Sequence, residues 1–253
     1  VKKEKQSAEE KEMNVTGHLS ELRNRLIVTA LFFLAFFILG FVYIKDIYHF
    51  FEQDIPFTLA VTSPGEIIWI YFTLAGVIAL VGTVPVFSLQ LWLFIKPGLT
   101  SKERKASLMY IPVIFILFIG GLVFGYFMFV KLILPFLLSL NDGMFTEIFT
   151  VDNYFRFVFR VSLPFAIFFE IPIMAMFLTQ LGILTPEFMK KTRKYAYFIM
   201  VIVGAAVTPP DFVLQIVVAI PLIVIYEISI QLSSVVFRKK QKKHAAFMEN
   251  DTI

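Results

Sequence analysis

Apolar runs at about 26–44, 67–95, 108–138, 157–184, 195–207 and 212–237 alternate with polar or charged connections. A helix needs about 20 residues to cross a hydrocarbon core of roughly 30 Å. The first four runs meet that length. The last two flank Val207-Thr208-Pro209-Pro210-Asp211, and the apolar part of the fifth, Tyr195–Val207, would cover only about 20 Å at 1.5 Å per residue. That run either begins nearer Glu187, with Lys190, Lys191, Arg193 and Lys194 snorkelling to the interface, or sits where the bilayer thins. The pattern predicts an all-α polytopic membrane protein with six transmembrane helices. Residues 1–25 form an N-terminal segment with an interfacial amphipathic helix, 26–237 the six-helix domain and 238–253 a basic tail.

Local signals agree with this division. Ser63-Pro64-Gly65-Glu66 and Thr100-Ser101-Lys102-Glu103 fit the capping box, in which a hydroxyl and a Glu three residues on satisfy free N–H groups. Thr185-Pro186-Glu187 is a weaker version. Prolines 85, 112, 135, 164, 172 and 221 fall within apolar runs, where the missing N–H and the ring clash predict kinks or helix ends, and bent helices can build a concave bundle. Gly121-Leu122-Val123-Phe124-Gly125 has the small-xxx-small spacing of close helix packing. The connections at about 45–63 and 139–156 exceed tight turns and are expected to pack over one end. No internal repeat is visible.

Composition strengthens the membrane reading. The chain is 58% hydrophobic, with 31 phenylalanines and a mean hydropathy of +0.79, well beyond a soluble domain. Its net charge of +4 comes from cations clustered between the spans, where they set orientation and touch anionic lipid, so nucleic acid is discounted as a partner. Of the 23 lysines and arginines, all but Lys45, Lys131, Arg156 and Arg160 lie in the N-terminal segment, the 95–107 and 183–194 loops and the tail. This asymmetry puts both termini in the cytoplasm. Residues 1–12 lack the apolar core of a cleavable signal, so the first span is expected to direct insertion. The absence of cysteine removes thiolate chemistry and disulfides.

Few residues are left to carry chemistry. Glu21 and Glu103 each stand among cations beside a span, and together they can offer two anions to a cationic peptide at the cytoplasmic surface. Both have structural readings as well. Glu21 and Arg25 are spaced i,i+4 for a local ion pair, and Glu103 holds the capping-box position. Glu170 lies inside the fourth span, where a charge costs roughly 2.5–3.5 kcal/mol on insertion scales, so it should be protonated, partnered or facing water. Pro172 should open the helix just before it. Gln180, Gln215 and Gln231 are candidate hydrogen-bond partners, and Glu227 either snorkels, pairs with the basic tail or is functional. His18, His49 and His244 are dispersed outside the spans, and no nucleophile, P-loop or metalloprotease motif appears, so no metal, cofactor or enzymatic activity is expected.

Four segments, in order, carry a family resemblance: His18-Leu19-x-Glu21-Leu22-Arg23-x-Arg25-Leu26, then Gln90-Leu91-Trp92-x-Phe94-x-x-Pro97-x-Leu99 followed by Glu103-Arg104, then Phe169-Glu170-Ile171-Pro172, and Thr208-Pro209-Pro210-Asp211. From about residue 15 to 237 the chain resembles the TatC component of the twin-arginine protein translocase. The resemblance implies six spans in a curved, cup-like bundle in the cell membrane of a prokaryote, with both termini inside. It implies a receptor for the paired-arginine signals of folded cargo proteins, working under the proton-motive force with TatA-like and sometimes TatB-like single-span partners in a homo- or hetero-oligomer. On that pattern Glu21 and Glu103 receive the signal, Arg23 and Phe94 orient the site, and Glu170, with Gln215 as a second polar intramembrane residue, faces a partner span.

The alternative from another class is an ion-coupled secondary transporter of a small solute, using Glu170 for coupling. It should show paired broken helices and several polar residues at one depth, whereas the acid here is nearly alone. A lipid-modifying enzyme would need a nucleophile with a base or a metal cluster.

Overall fold

The computed structural model describes residues 2–52, 57–99, 104, 107–141 and 148–250. Helices make up nearly all of it, and the chain separates into two compact units, residues 1–49 with 71–111 and residues 50–70 with 112–253. Among the described residues, five helical stretches are long and apolar enough to cross a membrane: Leu19–Val42, Pro64–Ile95, Tyr110–Ser139, Val151–Leu181 and Phe212–Lys242.

In the first unit, α1 (Lys2–Val42) runs unbroken from the charged N-terminal segment into the first span. The amphipathic stretch around Glu21 is thus the middle of that helix and not a separate element. After α2 (Ile44–Glu52) comes α3 (Pro64–Ile95), which ends in a 3-10 turn at Lys96–Gly98. Small residues let α1 and α3 approach closely. A Cβ at Gly40 would lie 3.1 Å from the Cα of Ala75, and one at Gly82 would strike the Phe36 ring at 2.6 Å. Ala75 and Ala79 are fully buried, while the rings of Phe37 and Phe41 pack against Phe72 with centroids 5.7 and 5.8 Å apart.

In the second unit, the third span joins α4 (Tyr110–Met128), a π-helical turn at Phe129–Ile133 and α5 (Leu134–Ser139). The widened turn precedes Pro135, whose ring would clash with the carbonyl of Lys131 in a regular helix. The fourth span is split into α6 (Val151–Phe168) and α7 (Ile171–Leu181) at Phe169 and Glu170, as Pro172 predicts. Gly182, with φ of 84°, closes α7 in a Schellman motif: its N–H reaches the Thr179 carbonyl and that of Ile183 the Leu178 carbonyl. There follow α8 (Pro186–Lys191), α9 (Arg193–Val207) and the long α10 (Phe212–Asn250). At 15 residues α9 covers about 22 Å, short of a full crossing by length alone.

The turns obey the local signals with one shift. Thr185 accepts from the Phe188 N–H at 3.3 Å, and Asp211 caps α10 by accepting from the Leu214 N–H at 2.9 Å. At the start of α3, Glu66 instead reaches the N–H and hydroxyl of Thr62, one residue before the expected Ser63. Pro64 gives α3 a first residue without an N–H, so the carboxylate takes the donors that the chain offers just outside the helix. The Thr100–Glu103 box lies outside the described residues. The two long connections do meet: Ala60 donates to the Phe149 carbonyl and accepts from the Val151 N–H, and the Phe57 and Phe149 rings stack at 4.2 Å.

The Gly121 and Gly125 spacing is used as expected. A Cβ at Gly121 would lie 2.6 Å from the Cα of Ala166, and one at Gly125 2.5 Å from that of Ser162, so α4 and α6 touch backbone to backbone. Gly121→Val should destabilise the unit by about 1–3 kcal/mol through overpacking, read as a lowered midpoint of thermal aggregation in detergent. Gly120→Ala, whose Cβ meets nothing within 4 Å, should leave that midpoint in place. Equal midpoints for the two variants would refute the close crossing.

Candidate functional site

The contact between the middle of α1 and the last turns of α3 is organised by Arg25. Its Nε and Nη2 donate to the same Glu21 oxygen, with Nε at 3.2 Å. Its Nη1 reaches Gln90 Oε1 at 3.3 Å, and Nη2 also reaches the Leu93 carbonyl at 3.4 Å. The local pairing of Glu21 with Arg25 is therefore present, and it is also a tie from α1 to the last turns of α3. Arg25 is half-buried, and the Glu21 side chain keeps 35% of its surface exposed. The carboxylate is thus held in one orientation at an accessible edge.

Arg23 and Phe94 flank this tie. Arg23 is exposed and shares one largely apolar, open face of α1 with Leu19, Leu22, Leu26, Ile27 and Ala30. Phe94 is half-buried in the last turn of α3, next to the carbonyl that Arg25 uses. Glu103 lies outside the described residues. Its neighbour Arg104 donates through Nε to the carbonyls of Lys96 and Leu99 at 3.0 and 3.1 Å. Trp92 donates to the buried Ser107 hydroxyl at 2.8 Å, and the Lys96 ammonium sits 5.3 Å from the Trp92 ring centre. Trp92, Leu99 and Arg104, all shared with the resemblance, thus take part in hydrogen bonds among the described residues at 92–107.

In the second unit, Glu170 sits at the break between α6 and α7, and neither of its carboxylate oxygens has a hydrogen-bond partner among the described residues. None of the three glutamines fills the role expected of it. Gln215 donates to the Val201 carbonyl on α9 at 3.4 Å, Gln180 contributes its own carbonyl to Lys240, and Gln231 is exposed. Glu227 pairs with Arg193 at 2.6 Å and accepts from the Tyr197 hydroxyl, both on α9, and not with the basic tail. No group of three or more His, Asp or Glu residues is placed to hold a metal among the described residues.

Sequence reasoning read Arg25 as a local partner of Glu21 and Gln90 as part of a shared segment, and missed the contact between the two. A glutamine among the apolar residues of a span was the available signal, since such an amide needs a partner. Arg193 was read only as one of several snorkelling cations.

A family model described as Sec-independent protein translocase protein (TatC) matches residues 17–221. The chain belongs to the TatC family. TatCd of Bacillus subtilis strain 168 is 45% identical over 238 residues, covering 94% of this chain and 98% of that protein. TatC of Aquifex aeolicus strain VF5 is 35% identical over 237 residues, covering 91% and 98%. A crystal structure of the twin-arginine translocase receptor TatC superposes with a TM-score of 0.77 at 34% identity, covering 87% of this chain and 99% of that one. The resemblance read from the four segments is therefore correct, and TatC is a family of multi-pass protein-translocase components, not of enzymes. The solute-transporter alternative has no support among these relatives.

Proposed function

We propose that this chain is the receptor that binds twin-arginine signals at the stretch of α1 around Glu21 and recruits TatA-like or TatB-like single-span proteins, so that folded cargo crosses the membrane under the proton-motive force. The observation that carries the reading is the pairing of a fixed, part-exposed carboxylate, Glu21, with the open apolar face of α1 beside Arg23. A signal of this class offers the matching pair, two arginines and an apolar stretch. A guanidinium contacts a carboxylate at two points where an ammonium is a point charge, which favours Arg-Arg over Lys-Lys. Arg25 holds Glu21 in place before any peptide arrives, and Glu103 supplies the second carboxylate in this reading.

Orientation belongs to the same proposal: six crossings with both termini in the cytoplasm, α9 being the short fifth. Single cysteines at Ser101 and Asn141 should then label from opposite sides of intact cells, and labelling from one side would overturn it.

Replacing Glu103 by Ala should weaken crosslinking of a twin-arginine signal by roughly tenfold, equivalent to about 1.4 kcal/mol, and adding Glu21→Ala should weaken it further with the protein still in the membrane. Normal signal binding by both variants would leave the two acids with structural roles only.

Glu170 serves in this reading as the contact for a polar group on the partner span, supported by its place at a proline-made break and by its lack of a hydrogen-bond partner among the described residues. Glu170→Gln, which keeps a hydrogen-bonding side chain, should retain most export of a folded twin-arginine reporter. Glu170→Leu should lose partner crosslinking and export yet still bind the signal. Full export by Glu170→Leu would end the partner-contact idea, and an inactive but assembled Glu170→Gln would point to a titrating role.

A further inference from the structure

We infer that Glu227 is a positioning residue: it fixes the register of the short helix α9 against α10, and export depends on that register. The inference rests on the receptor reading for its second half only.

The geometry is that of a clamp. Helix α9 has 15 residues, too few for its ends to be fixed by reaching both interfaces. Polar ties hold it instead. At the Arg193 end, Glu227 of α10 takes the Arg193 guanidinium on one oxygen at 2.6 Å and the Tyr197 hydroxyl on the other. Arg193 and Tyr197 are spaced i,i+4 and share a helix face, so one carboxylate grips a full turn of α9. Next to it, the Tyr226 hydroxyl lies 3.3 Å from that of Thr192 and donates to the Met189 carbonyl at 2.9 Å. At the other end, Arg160 of α6 donates through Nε to the Ala206 carbonyl at 2.9 Å.

Between these ends the helices pack closely. Gly204 brings α9 against the Gln215 backbone, where an added Cβ would lie 2.9 Å from the carbonyl, and the Gln215 amide reaches the Val201 carbonyl at 3.4 Å. The apolar contacts around them do little to set the register, since lipid tails are as apolar as the side chains. Glu227 sets it: a slip of one residue, about 1.5 Å with a rotation of 100°, takes both donors away from the carboxylate. Glu227 is also 30% exposed as a side chain and Arg193 42%, so the pair's contribution lies in geometry more than in net stability.

The test uses the full chain in its native membrane with a nitroxide at Phe198, an exposed position of α9, its depth read by power saturation, alongside export of a twin-arginine reporter. Glu227→Leu should move the label by at least one residue's rise, about 1.5 Å, and lower export about tenfold at an unchanged amount of membrane protein. Glu227→Gln, which can still accept from Tyr197, should fall between. Combining Glu227→Arg with Arg193→Glu should bring label depth and export back toward the unsubstituted chain. An unmoved label in Glu227→Leu overturns the clamp. Full export despite a moved label overturns the dependence of export on register, and a charge-exchanged pair no better than Glu227→Leu overturns the pairing as its cause. Failure of the unsubstituted chain to export would fall on the receptor reading, while the label depth would still decide the clamp.

Discussion

Lipid offers no partner to a backbone N–H or C=O, and the layout of this chain follows from that constraint. Apolar stretches become helices because only the helix satisfies its own backbone. The helix is relaxed where proline forces it and a local remedy exists. The widened turn at Phe129–Ile133 relieves Pro135, the gap at Phe169–Glu170 precedes Pro172, and Gly182 ends α7 by returning two N–H groups to the carbonyls of Leu178 and Thr179. The Thr-Pro-Pro-Asp turn has the same logic. The Thr208 hydroxyl takes the Gly204 carbonyl at the end of α9, and Asp211 takes the first free N–H of α10 that it can reach.

Once backbone is satisfied, side-chain polarity becomes scarce and each instance has a place. Some groups bolt helices together, as in the buried contact of Thr179 with Ser233 at 2.7 Å. Others organise an accessible edge, as Arg25 does in fixing Glu21 while holding α3. Glu170 belongs to neither set, since its oxygens have no hydrogen-bond partner among the described residues. This contrast motivates assigning Glu21 to recognition and Glu170 to a partner.

Much of this was legible in the sequence. The apolar runs located the helices because the length needed to cross lipid is set by bilayer thickness, and proline marked the fourth-span break because its ring and missing N–H act locally. Gly121 and Gly125 declared a helix contact through spacing alone. Partner choice was less legible. Glu227 pairs with Arg193, 34 residues away, and Arg25 with Gln90, 65 residues away; such pairings depend on which helix faces meet. The assignment of Glu66 to Ser63 missed by one residue for a related reason, because several donors compete within reach of one flexible side chain.

The central claim is that the stretch of α1 around Glu21 recognises paired arginines and not positive charge in general. A photo-crosslinking residue placed at Leu22 or Ile27, on the apolar face of α1 beside Arg23, measures this directly with signal peptides that differ only in an Arg-Arg or Lys-Lys pair. The account predicts a strong crosslink to the Arg-Arg peptide and one weaker by about tenfold to the Lys-Lys peptide, as expected from losing two-point contact. Equal crosslinking of the two, or none to either, would contradict it.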